Sequence, residues 1–181
     1  MRESLCIVAL ASLLAGLPRL LGQSPKPTEY QVKAVYLFNF GRFVEWPSSV
    51  AAPRGQSFAV CVLGQDPFGP ALDATLAGEI IDRAPVVAKR IPKVEEAAAC
   101  RVLFIASSEN NQLREVLAGL DKASVLTVSD MPQFAKRGGM VQFLLDGSKV
   151  RFEVNLAATQ RVGLNLSSDL LKLAIAVRRA P

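Results

Sequence analysis

The sequence predicts an α/β fold: a three-layer sandwich with a mainly parallel sheet of about six strands, a C-terminal β-hairpin and flanking helices. Three observations carry this expectation. Short apolar runs alternate with helical segments between residues 57 and 129. The pair Asp146-Gly147, strongly favoured in tight hairpins, divides the run that follows Gly139 into two strands. The length of 181 residues, half of them hydrophobic, suits one folded domain and is too apolar for a disordered chain.

Taken in order, the stretch MRESLCIVALASLLAGLPRLLG reads as a signal peptide over residues 1–22. Its apolar run from Leu5 to Leu17 is broken only by Ser12 and interrupted afterwards by Pro18 and Arg19. A membrane crossing needs about 20 apolar residues, so an uncleaved anchor is the weaker alternative. Cys6 lies inside the apolar run and is not read as a lipid attachment site. The folded domain is expected over residues 28–178.

After the spacer QSPKPT, the segment EYQVKAVYLFNFGRFVEW is expected to be a helix ended by Pro47. Val32, Tyr36, Phe40 and Phe43 fall on one stripe that faces a core. Gln31, Val35, Phe38, Arg42 and Glu45 fall on the other side, so Val35 and Phe38 are either covered within the domain or part of a partner surface. A linker, SSVAAPRGQ, follows. SFAVCVLG is a strand, and DPFGPALDATLAG a helix with Asp66 as cap and Pro67 at its first position. APVVAKRI is a strand, PKVEEAAA a short helix, CRVLFIAS a strand, NNQLREVLAGL a helix and ASVLTVS a strand. The hairpin GMVQFLLDGSKVRFEVNL leads to a short helix after Asn155, stopped at Gly163. A last helix, SSDLLKLAIAVRRA, is capped by Ser167 and carries Arg178 and Arg179 in its final turn.

With the leader removed, Cys61 and Cys100 remain. In an oxidising compartment an even pair is most simply a disulfide, the alternative being two buried thiols. Arg2 and Arg19 against Glu3 in the leader leave +4 of the formal +5 on the rest of the chain. That charge is scattered rather than gathered in a stripe, and export removes the chain from nucleic acid, so no nucleic-acid partner is expected.

The chain contains no histidine, which excludes Ser-His-Asp and Cys-His nucleophilic systems and the usual imidazole zinc sites. No GxxxxGK[ST] or GxGxxG loop follows a strand. The turn from Gly64 to Gly69 offers free amides to an anion, but the Asp66 carboxylate opposes one there. Ser107-Ser108 and Ser129-Asp130 follow strand carboxyl ends, where α/β folds place ligand sites, although serines there also serve as caps and turn formers. Lys136-Arg137-Gly138-Gly139 is a basic loop whose glycines point to a tight turn. The chain is therefore expected to be no enzyme, with no cofactor and no metal.

Several stretches together carry a resemblance: YQVKAVYLFNFGRFVEWP, AVCVLGQDPFG, VLFIASSE, and VLTVSDMPQFAKRGGMVQFLLDGSKVRFEVNLAATQRVGLNLSSDLLKLA. In content and order they resemble the YfiR/HmsC-like family over about residues 28 to 176. The resemblance implies a periplasmic, self-associating α/β protein, a homodimer, that represses a membrane-bound diguanylate cyclase by engaging its sensor region, and so controls cyclic di-GMP and biofilm formation. An OmpA-like outer-membrane lipoprotein can relieve such repression in the best-known system, and many members adjoin cyclases, kinases or outer-membrane receptors of other kinds, so the resemblance implies a cyclase or another membrane receptor ectodomain as partner. Cys61 and Cys100 fall where a family disulfide is found. A second family pair near the hairpin has no counterpart here.

A partner surface is accordingly expected to include Phe38, Arg42, Trp46 and Arg137, whose aromatic and arginine content suits a binding hot spot. Core packing is the competing reading for Phe38 and Trp46. The alternative function, from another class, is a periplasmic small-ligand sensor or carrier with a pocket near Ser107, Ser129 and Asp130.

Overall fold

A computed structural model describes residues 26–47 and 57–179. The expected signal peptide and the linker over 48–56 lie outside the described residues.

The apolar runs become the strands β2 (Phe58–Leu63), β4 (Ala84–Ile91), β5 (Val102–Ile105) and β6 (Leu126–Ser129), all mutually parallel where they pair. The hairpin supplies β7 (Val141–Asp146) and β8 (Lys149–Asn155), with β7 parallel to β6 and antiparallel to β8. These are the six strands expected. Two short edge strands, β3 (Ile80–Ile81) and β10 (Ala176–Arg178), extend the sheet to eight in the order β10-β8-β7-β6-β5-β2-β4-β3. A separate two-stranded pairing joins β1 (Val44–Glu45) to β9 (Asn165–Leu166).

Every residue of β2 is buried, as a central parallel strand requires with both faces covered. The period of two sends Phe58, Val60 and Val62 into one core, and Ala59, Cys61 and Leu63 into another on the opposite face. The first core takes the helices α1 (Glu29–Phe43), α2 (Pro70–Leu76), α4 (Leu156–Arg161) and α5 (Ser168–Leu173) through residues such as Leu37, Leu72, Ala158 and Leu170. The second takes α3 (Leu113–Gly119), a 3-10 turn at Val94–Ala99, and the loop residues Met131 and Phe134. Three layers result. Cys61 and Cys100 are joined by a disulfide with their Cα atoms 5.9 Å apart, inside the second core.

Helix α1 starts with a reciprocal cap: Gln31 N–H donates to Thr28 Oγ1 at 3.3 Å, and Thr28 N–H to Gln31 Oε1 at 2.7 Å. Its buried face is not the expected stripe. Lys33, Ala34, Leu37, Phe40 and Gly41 are buried, Val32 and Tyr36 are half-buried, and Phe43 is exposed. The shift arises because α1 also contacts α2 and α5, which widens its covered arc, and because Gly41 lets the backbone approach the sheet. A Cβ at Gly41 would stand 2.9 Å from Ile81 and Phe58. Below it, Phe40 packs against Phe143 and Phe152 at 5.7 and 5.2 Å between ring centroids.

Two further expectations are corrected. Asp66 does not cap α2, which begins at Pro70 after Gly69. Its carboxylate instead accepts from Phe68 N–H at 2.8 Å and from Arg90 Nε at 2.9 Å, closing the turn locally. Arg90 also reaches Asp73, whose carboxyl is held below its ordinary value by that hydrogen bond. The final helix is short: Ser167 caps it as expected, but it ends at Leu173, and the chain then extends as β10 beside β8. The physical reason lies in the sheet edge, where β8 would leave unpaired N–H and C=O groups that Ile175 and the residues after it satisfy. Arg178 therefore lies on an edge strand.

Candidate functional site

Strands β5 and β6 end side by side, and the first turn of α1 passes over those ends. The convergence places four polar residues from three segments together. Asp130 Oδ2 accepts from Lys33 Nζ at 2.6 Å and from the Tyr30 hydroxyl at 3.0 Å, and Oδ1 accepts from Ser107 Oγ at 3.4 Å. Lys33 also pairs with Glu29 one turn earlier on the helix, and its ammonium lies 4.5 Å from the Tyr30 ring centroid. Lys33 is only 2% exposed. A buried ammonium requires this full set of partners, since desolvating it alone costs several kcal/mol, on the order of the cost of an unpaired buried ion.

Burial and then the neighbouring Asp130 carboxylate push the Tyr30 phenol up from its usual 10.0 to about 12. The folded state thus holds this proton more tightly than the unfolded chain. The contribution to stability is complete below pH 10 and is lost as pH rises toward 12. Thermal unfolding followed across that range is expected to show a decline that Tyr30→Phe reduces; an unchanged decline in the variant would contradict it.

A cleft of about 630 Å³ opens at this cluster and runs over β7 to β8 and β10. Lys33, Ser107 and Asp130 line one end, Lys136 and Gln133 the rim, and Arg178 the far end. Its lining also includes residues of β7, among them Leu144. Across β8 and β10, Arg178 Nη2 donates to Glu153 Oε2 at 3.2 Å. Two of the three residues expected at a strand-end pocket are present. Ser129 is not: it is fully buried, donating to the Ile105 carbonyl at 2.7 Å and accepting from Met131 N–H at 3.1 Å, which makes it a turn former.

The residues expected at a partner surface do not form one patch. Phe38 is half-buried against the first core, with the exposed Arg42 guanidinium 5.8 Å from its ring centroid. Trp46 packs edge-on against Phe58 at the amino end of β2, 5.4 Å between centroids. Its indole nitrogen is buried with no hydrogen-bond partner among the described residues. Arg137 lies toward the opposite end of the sheet, where it donates to Asn110 Oδ1 at 2.7 Å and to the Asn110 carbonyl at 3.0 Å. The basic loop owes its shape to its glycines, as expected. Gly138 has φ +104°, and a Cβ at Gly139 would lie 2.1 Å from the Phe134 ring.

Sequence reasoning missed Lys33 and Arg178. For Lys33 a signal existed, a lone lysine between apolar positions of a helix and four residues after Glu29; for Arg178 the expected helix concealed the strand. Among the described residues, no group of three or more acidic, histidine or cysteine side chains is placed to hold a metal ion.

Of solved structures, a conserved domain protein from Vibrio cholerae is similar at TM-score 0.59 and 10% identity, with 83% of this chain and 60% of that one covered. An ABC domain from Streptococcus pneumoniae, in complex with L-Trp, is similar at TM-score 0.49 and 11% identity over 66% of this chain and 55% of that one. The chain thus spans less than two thirds of either protein, and the first likeness shows the α/β fold alone. The model of the YfiR/HmsC-like family matches residues 30–175, which takes in α1, the sheet from β2 to β8 and α5, and to that family the chain belongs.

Proposed function

We propose that this protein is a periplasmic regulator that binds and represses the sensor region of an inner-membrane diguanylate cyclase, thereby controlling cyclic di-GMP signalling and biofilm formation. The observation that carries the reading is the family match over residues 30–175. Family members are regulators rather than enzymes, and the absence of histidine from the chain is in keeping with that. The Cys61–Cys100 disulfide fits an oxidising compartment, as does the leader-like composition of residues 1–22. A homodimer, with relief by an OmpA-like outer-membrane lipoprotein, completes the proposal; another membrane receptor ectodomain is the variant partner.

The test is cyclic di-GMP synthesis by the host's membrane cyclase with and without the purified protein. Synthesis is expected to fall on addition; unchanged synthesis with every cyclase of the host would refute the reading. Within it, Phe38 and Arg42 are the proposed contacts to test first, because they lie together on one helix face, and Trp46 and Arg137, at opposite ends of the sheet, would each belong to a separate contact. Phe38→Ala with Arg42→Ala is expected to weaken cyclase binding about tenfold or more, in the range of hot-spot residues, with little change in melting temperature. A large stability loss with binding retained would return Phe38 to the core.

A second reading, a small-ligand sensor or carrier, is favoured by the cleft at the strand ends. Its volume of about 630 Å³ lies in the size range of small-molecule sites.

A further inference from the structure

Helix α3 separates two grooves of opposite charge. On one flank, Arg114, Ala118 and Asp121 border a groove of about 180 Å³ whose other wall is the basic loop and α4. Its charged residues are Arg114, Arg137 and Arg161 against Asp121, so three guanidiniums and one carboxylate leave a net charge of +2. Asp121 reaches Arg161 at 3.7 Å with both side chains more than half exposed, and Arg137 is held by Asn110, a neutral group that leaves its charge unanswered.

On the other flank, Glu115 and Gly119 border a groove of about 530 Å³ completed by Glu109 and the 3-10 turn at Val94–Ala99. Here Glu95, Glu109 and Glu115 stand against Lys93, so three carboxylates and one ammonium leave a net charge of −2. Glu109 accepts only from the neutral Ser108 and Gln112 side chains. Arg114, Glu95 and Glu115 make no ion pair among the described residues. Two equal and opposite excesses thus face solvent on either side of one helix.

The ridge between the grooves is low. It consists of Ala118 and Gly119, both exposed, one bordering each groove, with Arg114 and Glu115 one turn earlier. No side chain larger than a methyl group keeps another helix from approaching there. Symmetry then selects the approach. A two-fold axis running along α3 sets two copies of the helix side by side and parallel, and carries the basic flank of each onto the acidic flank of the other. An axis crossing α3 at right angles sets like flank against like, which costs affinity.

We propose that this face of α3 docks a second copy of the chain, with Arg114 of each copy against Glu115 of the other. The proposal rests on the homodimer included in the proposed function and assigns its interface. It gives Arg137 a contact apart from that of Phe38 and Arg42.

Sedimentation velocity of the purified protein tests it, with the variants Arg114→Glu and Glu115→Arg. Both positions are exposed, so circular dichroism and melting temperature are expected to match the parent's. The parent is expected to sediment as a dimer that weakens as salt rises. Each variant alone sets like charges in both symmetric contacts, and its dimer dissociation constant should rise at least about tenfold. Mixed in equal amounts, the two variants should pair with nearly the parent's affinity, because each contact again joins a carboxylate to a guanidinium. Single variants as dimeric as the parent would overturn this interface and leave a homodimer formed through another face. Two monomeric variants that stay apart when mixed would overturn the pairing of Arg114 with Glu115. A parent that is monomeric at every soluble concentration would overturn the homodimer as well, leaving the two grooves to a different partner. None of these measurements involves the cyclase, so their failure is separate from failure of the regulatory reading.

Discussion

Asp130→Ala is expected to destabilise the fold by about 3 kcal/mol, because it strips the buried Lys33 ammonium of the better buried of its two carboxylate partners. Removing one member of a buried ion pair costs more than the pair itself contributes, since the remaining charge stays desolvated. The loss falls at the lower end of the usual range because Glu29, whose side chain is 36% exposed, still reaches Lys33. The Tyr30 hydroxyl and Ser107 lose their acceptor as well, which adds to the cost. Urea unfolding should show a lower midpoint with an unchanged slope. Combining Asp130→Ala with Lys33→Met should recover most of the loss, because methionine fills the lysine's channel without a charge. A single variant as stable as the parent would remove the pair from the structural account of the cleft.

Replacing both Cys61 and Cys100 by alanine is expected to cost about 4 kcal/mol in the chain-entropy account, since the bond closes a loop with a sequence separation of 39. Both residues are wholly buried, so a reductant reaches the bond through opening of the second core. Two consequences are measurable. The alanine pair should unfold at a lower denaturant midpoint, and the parent's thiols should become alkylatable under mild reductant only as fast as the protein opens. Rapid alkylation of the folded protein would contradict the burial and would make the bond a candidate redox sensor. These two changes act at different places, one at the strand ends and one inside the second layer, so their effects should add when combined.

The parts of the fold that were legible in the sequence rest on local rules. Strands β2, β5 and β6 are buried along their whole length and were readable as apolar runs because parallel strands buried on both faces need no alternation, whereas β4 is exposed in part and was readable from its Val86–Ala88 run. The hairpin followed from Asp146-Gly147, with Gly147 at φ +58°. The caps at Ser167 and Asn155 hold through hydrogen bonds to Leu170 N–H and Ala158 N–H. The cysteine pairing needed only an oxidising compartment and an even count.

Other features had no local signature. Helical periodicity assigned α1 a core face, but its true buried arc was set by α2 and α5 packing on either side of it, and neither neighbour is visible in an 18-residue window. Residues 174–178 continue the apolar pattern of the helix before them, yet they include the β-branched Ile175 and Val177, and the open edge of β8 draws Ala176–Arg178 into β10 through backbone hydrogen bonds. That switch moved Arg178 from a helix end to the cleft. Lys33 reads as an ordinary solvated lysine until Asp130, distant in sequence by most of the chain, is brought over it by the β6 carboxyl end.

By itself, then, the sequence determined the α/β class, the strand runs, the hairpin, the disulfide pair and the family, because each depends on residue type and near spacing. Tertiary structure alone decided the cleft, the buried Lys33–Asp130 pair and the separation of Trp46 from Arg137. Those depend on which segments meet in space, and a parallel sheet assembles its strand ends from residues far apart along the chain.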